Sequence, residues 1–251
     1  MWAIGLVANL MNIQMLAEWY RHSASSGNKS INGPDVFLWT YGFGIRSETN
    51  ESFAMGNASE QATYEALIQE MDDETASKRA VELFDKEMKG VVCKQRDGVG
   101  EITKNFLSVL RPLGKPLTFQ ADRKTELGLK YPVKTVTDFG YEDCIIDTKA
   151  TLRWPPYGKP RAAHLRQQAL YEKVYKKPAK LLYATPKKVE LMEIDDQESH
   201  LQSLMTAFRA IEGFEKLYST PEDATKGIPF NPDNFAWSGL DIDDAKKKWS
   251  T

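Results

Sequence analysis

The spacing of hydrophobic positions changes from a helical period to a strand period near Pro116. Apolar residues three and four apart predict helices before that point and again after residue 160, whereas β-branched and alternating runs predict strands between and beyond them. The predicted helices cover residues 59–71, 75–89, 100–110, 161–175 and 198–214. The predicted strands cover residues 117–129, 132–139, 144–152 and 181–184. This order predicts an α/β fold with a central mixed β-sheet flanked by helices.

The stretches between these elements are rich in turn-forming residues. Residues 23–34 contain many Ser, Gly and Asn residues and predict a loop, while residues 96–98 and 140–143 predict turns. Residues 36–43 are aromatic and fit either a short strand or a helix. We expect an N-terminal helical and loop extension over residues 1–55, a core over 56–215 with a helical insertion at 72–112, and a tail over 216–251.

The first seventeen residues are apolar but interrupted by Asn and Gln. Ile4, Ala8, Met11 and Met15 fall on one helical stripe, which predicts a helix packed on the body of the protein. No Lys or Arg precedes this stretch, so the n-region of a signal peptide is missing. No apolar run is long enough to span a bilayer. We therefore expect no membrane partner and a cytoplasmic location.

Charge is distributed unevenly along the 251 residues. The formal net charge is −2, which excludes a uniformly basic nucleic-acid coat, but residues 149–190 hold eleven Lys or Arg and two acids, a net of +9. A solvated surface and a phosphate-binding groove both fit such a segment. Two cysteines, Cys93 and Cys144, exclude a disulfide framework and a four-thiolate metal site.

A pair of charged residues interrupts the apolar strand predicted over residues 144–152. Asp147 and Lys149 lie two apart and therefore share a face of the strand. With a turn at 140–143, Phe139 is expected to pair with Cys144, and Asp138 then lies diagonally across from Asp147, roughly 7 Å away. A salt-bridged strand edge fits Asp147 and Lys149 alone. Two neighbouring carboxylates repel unless a cation lies between them, so the set also fits a Mg²⁺ or Mn²⁺ site.

Two helices carry a polar residue within an apolar stripe. Gln167 lies in line with Ala163, Leu170 and Val174, where a buried amide needs a partner. Glu60 begins a stripe that continues to Leu67 on the helix predicted over 59–71. Each residue alone is typical of a helix boundary, but both agree with the carboxylates and lysine of the predicted strands.

Taken in order, these residues resemble a known family. Gly56-x3-Glu60, Asp138, Asp147-x-Lys149 and Gln167-x3-Tyr171 are similar to the motifs of the PD-(D/E)XK nuclease superfamily. The likeness is to its RecB-like and lambda-exonuclease-like branch, often found in phages, and it covers residues 56–185. It implies a restriction-endonuclease-like core and a metal-dependent DNA nuclease, an exonuclease in replication, recombination or host-DNA degradation. Thr135 departs from the pattern, because relatives often have Gly three residues before the first aspartate.

The resemblance also implies a role for each matching residue. Lys149 would orient or deprotonate the attacking water, and Gln167 would position this lysine and the water. The cofactor would be Mg²⁺ or Mn²⁺, and two cysteines are too few for an iron–sulfur cluster. The implied metal ligands are the side chains of Glu60, Asp138 and Asp147 and the carbonyl of Thr148.

The expected partner is DNA with a single-stranded end, together with replication or recombination proteins, and the location would be the host cytoplasm if a phage encodes the chain. The aromatic candidates for stacking on bases are Trp39, Tyr41, Trp154 and Tyr157, although aromatic residues of this kind are more often part of a core. Trp154 and Tyr157 are favoured, because their loop directly follows Lys149. The alternatives are a non-catalytic nucleic-acid-binding protein that retains the fold and a nuclease that acts on RNA. The predicted DNA-binding residues are Arg153, Trp154, Tyr157, Arg161, Arg166 and Tyr171.

Overall fold

The structure is a computed structural model that describes residues 22–47 and 49–250. The helix predicted within residues 1–17 lies outside the described residues. The chain forms two compact units. The central unit comprises residues 49–122 and 136–200, and the terminal unit comprises the remaining described residues. The predicted domain boundaries at 55 and 215 stay a prediction.

After the short strand β1, the described elements follow one another in the order helices, strands, helix, strands, helices. The helices are α1 (Ala24–Asn32), α2 (Pro34–Phe37, continued by a π-helical turn over Leu38–Gly42), α3 (Glu51–Gln69), α4 (Asp73–Met88), α5 (Lys94–Leu110), α6 (Ala162–Tyr175), α7 (Gln197–Leu217), α8 (Pro221–Thr225) and α9 (Ile242–Trp249). The strands are β1 (His22–Ser23), β2 (Thr118–Thr125), β3 (Val133–Gly140), β4 (Ile145–Ala150), β5 (Ala179–Thr185) and β6 (Lys188–Met192). Among the described residues, no helix is long and apolar enough to cross a bilayer.

The strands pair in both directions, so the predicted mixed sheet is confirmed. In the central unit β3, β4, β5 and β6 lie side by side, and β2 pairs with β3. The pairs β3–β4 and β5–β6 are antiparallel, while β4–β5 is parallel. Helix α6 connects the two parallel strands, as such a crossover requires. In the terminal unit β1 pairs in parallel with the first residues of β3.

The core of the central unit lies between one face of its sheet and helices α3, α4 and α5. Ile146 of β4 packs there with Phe106 of α5 and Ala62 of α3. A Cβ atom at Gly100 would lie 2.2 Å from Ser77 Oγ, so this glycine permits close approach of α5 to α4. The predicted turn at residues 96–98 is wrong, because Gly98, which suggested it, lies buried inside α5, where an added Cβ would lie 3.0 Å from Leu152 and Pro186.

One other prediction from composition is wrong, and one strand was missed. Residues 24–32 form α1 rather than a loop, because Ser23 and Ser26 make a reciprocal capping box. Gly27 in this helix also faces Leu204, whose Cδ1 would lie 2.4 Å from an added Cβ. Strand β6 was not predicted, since residues 188–192 alternate lysine and glutamate with apolar residues over only five positions. Its partner β5 supplies the pairing that the local sequence does not reveal.

The terminal unit is built around aromatic residues. Trp39 packs against Trp237, with ring centroids 5.9 Å apart, and Trp249 lies 6.3 Å from Trp237. Asp35 is buried beside them, and its Oδ2 accepts hydrogen bonds from Trp237 Nε1 at 2.8 Å and the Asn231 amide at 2.9 Å. The predicted tail therefore contains helices and much of this unit's core.

Candidate active site

Strand β4 brings an acid and a lysine into an otherwise apolar part of the sheet. Asp147 is 1% exposed and forms an ion pair with Lys149, whose side chain is 21% exposed. In the parallel neighbour β5, Tyr183 lies opposite Lys149. The lysine is thus the charged group that most directly balances the buried carboxylate, as a salt-bridged strand requires.

Asp138 joins this pair through the neighbouring strand, in a register that differs from the predicted one. Phe139 pairs with Ile146 rather than with Cys144. Next to that pair, the Thr148 amide donates its hydrogen bond to the side chain of Asp138 instead of to a backbone carbonyl, at 2.7 Å from Oδ2. The same Oδ2 lies 3.0 Å from Thr148 Oγ1. The predicted register is wrong by two residues, because the chain reverses over residues 141–144 instead of 140–143.

Helix α3 contributes Glu60 to the same point. Its Oε2 lies 3.5 Å from Thr148 Oγ1, and its Oε1 accepts a hydrogen bond from Gln120 Nε2 at 3.0 Å. Thr148 thus contacts both Asp138 and Glu60 through one hydroxyl. Sequence reasoning missed Gln120, a residue of β2 that lies in no recognisable motif.

Helix α6 contributes Gln167. Its Nε2 donates to Asp147 Oδ1 at 3.2 Å and lies 2.6 Å from the hydroxyl of Tyr171, one turn further along the helix. The Tyr171 hydroxyl in turn donates to the carbonyl of Val136. The partner that a buried amide requires is therefore Asp147, and a chain of hydrogen bonds fixes the orientation of Gln167.

Burial and mutual repulsion shift the ionisation of these acids. Burial raises the pKa of Asp147 to about 7, with Lys149 opposing the shift and Asp138 adding to it. Burial and the nearby Glu60 raise the pKa of Asp138 to about 6, again opposed by Lys149. Burial also raises the pKa of Glu60. For Lys149, burial lowers the pKa but the three carboxylates outweigh it, so the net shift is upward.

The donor chemistry of these acids fits a hard divalent cation. Within the described part of the chain, no three His, Cys, Asp or Glu side chains meet with the spacing of metal ligands. Two carboxylates and a backbone carbonyl would nonetheless supply the oxygen ligands that Mg²⁺ or Mn²⁺ prefers. Asp138, Asp147 and Glu60 face one another with a single lysine among them, and an added cation would relieve their repulsion.

The predicted DNA-binding residues differ in their accessibility. Arg153, Tyr157 and Arg161 are exposed, whereas Trp154 and Arg166 are half-buried. Tyr171 is buried beneath the site and bonded to Gln167, so its hydroxyl is not available to DNA. This outcome follows from the helical spacing, since residues 167 and 171 lie on the same face of α6.

His164 is a further residue near the site that was not predicted as functional. It lies on the first turn of α6 and its Nδ1 is hydrogen-bonded to the Tyr183 hydroxyl. Burial, together with the positive charges of Lys149 and Arg161, lowers the pKa of His164 to about 3. Its position one helical turn before Gln167 is the one signal in the sequence that marks it.

Comparison with known proteins supports the fold. A candidate exonuclease from Eubacterium rectale superposes with a TM-score of 0.55 at 14% sequence identity, covering 80% of this chain and 84% of that one. The structure of SSO0001 gives a TM-score of 0.32 at 12% identity, covering 70% and 84% of the two chains. No family model and no curated protein matches the sequence. The first of these structures shares the fold, and the predicted α/β class with a central mixed sheet flanked by helices is confirmed.

Proposed function

We propose that this protein is a metal-dependent nuclease that hydrolyses phosphodiester bonds in DNA. The observation that carries the proposal is the convergence of Asp138, Asp147, Lys149 and Gln167 around the end of β4. Two acids, an amine and an amide that meet around the buried Asp147 match the groups that phosphodiester hydrolysis needs. The proposal extends to an exonuclease of DNA replication, recombination or host-DNA degradation of the RecB-like type. The fold shared with a candidate exonuclease supports the nuclease function, and the extension rests on the order of the motif residues in the sequence.

Each side chain then has a definable task. Asp138 and Asp147, with Glu60 and the Thr148 carbonyl, would hold the cation, and a bound divalent cation supplies an activated water and neutralises phosphate charge. Lys149 stabilises negative charge that develops on the phosphate. Gln167 holds Asp147 Oδ1 in place and thereby limits the positions that Asp147 can take.

Binding of the polyanion is assigned to the loop after β4. Arg153 and Arg161 are exposed there, and the segment 149–190 carries eleven Lys or Arg and two acids in a chain whose net charge is −2. Such a segment attracts phosphates over about a Debye length, so binding should weaken steeply with added salt.

The proposal is tested by incubating end-labelled linear DNA and covalently closed circular DNA with the full chain in Mg²⁺, Mn²⁺ or chelator. We expect release of nucleotides from linear DNA in either metal and none in chelator. Lys149→Met should lower the rate by roughly 100- to 1000-fold. Lys180→Met is the matched control, because Lys180 lies in the same basic segment but pairs with the exposed Glu193. DNA that is shifted in a gel yet stays intact in every metal would contradict the proposal and identify a binding protein.

A further inference from the structure

The loop that follows β4 presents one aromatic ring entirely to solvent. Tyr157 is 97% exposed, the highest value among the large hydrophobic side chains that are exposed in the described residues. Its backbone has φ 58° and ψ 16°, and the next residue, Gly158, has φ 67°. A non-glycine residue in this left-handed region costs free energy, and an exposed ring returns none of it through packing. The conformation of Tyr157 therefore needs an explanation outside the core.

The rest of the loop is held firmly. The Thr151 amide donates to the Ala184 carbonyl at 3.0 Å, and Thr151 Oγ1 donates to the Arg153 carbonyl at 2.9 Å. Pro155 and Pro156 precede Tyr157 and restrict the backbone before it. The ring is thus displayed by a restrained turn.

The ring of Trp154, the second aromatic residue of the loop, is engaged in contacts within the protein. Trp154 packs edge-on against Tyr183, with ring centroids 6.2 Å apart. The ammonium group of Lys188 lies over the Trp154 ring, 3.8 Å from its centroid. Lys188 thus covers one face of the ring, and the indole is also packed against the cluster that contains Leu181 and Tyr183. Trp154 therefore anchors the loop, and Tyr157 is left as its free aromatic surface.

The charges around Tyr157 indicate which kind of ligand would contact its ring. Arg153, Lys159 and Arg161 are exposed, and no acid occurs between residues 148 and 171. None of these three cations forms an ion pair within the part of the chain that the structure describes. By contrast, Lys180 and Lys188 of the same basic segment pair with Glu193 and Glu190. Unpaired cations on both sides of an exposed ring suit a chain of phosphates and bases better than a protein surface.

We propose that Tyr157 is a stacking platform for an unpaired base of a single-stranded nucleic acid, with Trp154 as the anchor of the loop. This inference rests on the proposed nuclease function, since the loop continues the strand that carries Asp147 and Lys149. A base stacked on Tyr157 would hold a strand end while the neighbouring cations contact its phosphates. The platform therefore selects single-stranded ends over continuous duplex.

The test uses single-stranded oligonucleotides that carry 2-aminopurine at successive positions from one end, bound to the full chain in chelator. Stacking quenches this fluorophore, so wild-type protein should quench it at one or two positions. Tyr157→Ala should abolish the quench and weaken binding by roughly tenfold or more. Tyr157→Phe should retain both, because the ring is kept. Phe235→Ala is the control, since Phe235 is also exposed, at 77%, but belongs to the terminal unit.

The salt dependence separates stacking from charge. Tyr157→Ala should leave the slope of log affinity against log salt unchanged, whereas Arg161→Ala should reduce it by about one. Wild-type affinity and quenching in Tyr157→Ala would overturn the proposal and point to a protein as the occupant of the ring. Since binding is measured without metal, cleavage does not enter the result. Quenching by a protein that never cleaves DNA would contradict the nuclease proposal alone.

Discussion

Two aspartates of this protein are equally buried and yet differ in what surrounds them. Asp35 in the terminal unit and Asp147 in the central unit are each 1% exposed. Asp35 receives two neutral N–H donors, from Trp237 and Asn231. Asp147 receives one neutral donor from Gln167 and the charge of Lys149, and it lies close enough to Asp138 to be repelled by it.

The difference separates a structural acid from a candidate functional one. Neutral donors satisfy the charge of Asp35 and tie α2 to the C-terminal segment of its unit. A second carboxylate, that of the half-buried Asp138, does the opposite for Asp147, because each acid raises the cost of ionising the other. Such an arrangement is stable only when a cation, from the protein or from solution, balances it. Burial alone therefore does not identify a site, whereas buried like charges do.

The largest expected effect is on catalysis. Asp147→Asn should lower the rate of DNA hydrolysis about 1000-fold, equivalent to about 4 kcal/mol, because an anionic ligand is lost from the proposed metal site. The matched variant Asp35→Asn should keep the wild-type rate per folded molecule. Initial rates in Mg²⁺, with circular dichroism to confirm folding, test both. Equal loss of activity in the two variants would remove the distinction between the two acids.

The next effect concerns pH. A folded-state pKa near 7 for Asp147 and near 6 for Asp138 means that the folded protein holds these protons more tightly than the unfolded chain. Their contribution to stability is therefore complete below pH 4 and is lost as the pH rises through about 6 and 7. Between pH 5 and pH 8 we expect the free energy of unfolding of the metal-free protein to fall by on the order of 3 kcal/mol more than that of the Asp147→Asn variant.

Urea unfolding at several pH values, in chelator and in Mg²⁺, measures this change. Added Mg²⁺ should restore stability at pH 8, since a ligand that binds only the folded state stabilises it. A stability difference that does not vary with pH would show that Asp147 is already fully compensated by Lys149.

A smaller effect is expected at the structural acid. Asp35→Ala removes the acceptor of two hydrogen bonds and should lower the free energy of unfolding by about 2 kcal/mol. Tryptophan fluorescence should report the change, because Trp237 loses the partner of its indole N–H. Rates per folded molecule should be unchanged, and a stability equal to that of wild type would mean that water replaces the carboxylate.

The smallest effect is expected at the residue that orients Asp147. Gln167→Ala should slow hydrolysis roughly tenfold while calorimetry still detects Mn²⁺ binding. Gln167→Glu would add a third acid beside Asp147 and should shift the pH profile as well. If thermal stability falls while the rate of the folded fraction is unchanged, Gln167 is a core amide and has a structural role, as Asp35 has.

Local sequence determined most of the elements that carry the site. The helical stripes of α3 and α6 and the β-branched run of β4 depend on residues close together in the chain. Their patterns indicated α6 and β4 within a few positions, whereas α3 begins at Glu51, well before the predicted start at residue 59. The order of Glu60, Asp138, Asp147, Lys149 and Gln167 was readable for the same reason. Glycine was the weakest guide, because Gly27 and Gly98 lie inside helices and face residues distant in sequence rather than forming turns.

Only the tertiary structure decided which polar groups meet and which aromatic ring stays free. The register that sets Phe139 against Ile146 depends on where the chain reverses, and Gln120 reaches Glu60 across sixty residues. Trp154 and Tyr157 are aromatic residues three positions apart in one loop, and the local sequence does not distinguish them. In the structure Lys188 covers the Trp154 ring, whereas the Tyr157 ring is exposed. Pattern fixes which face of an element a side chain occupies, but contact between elements depends on packing distances that no local pattern contains.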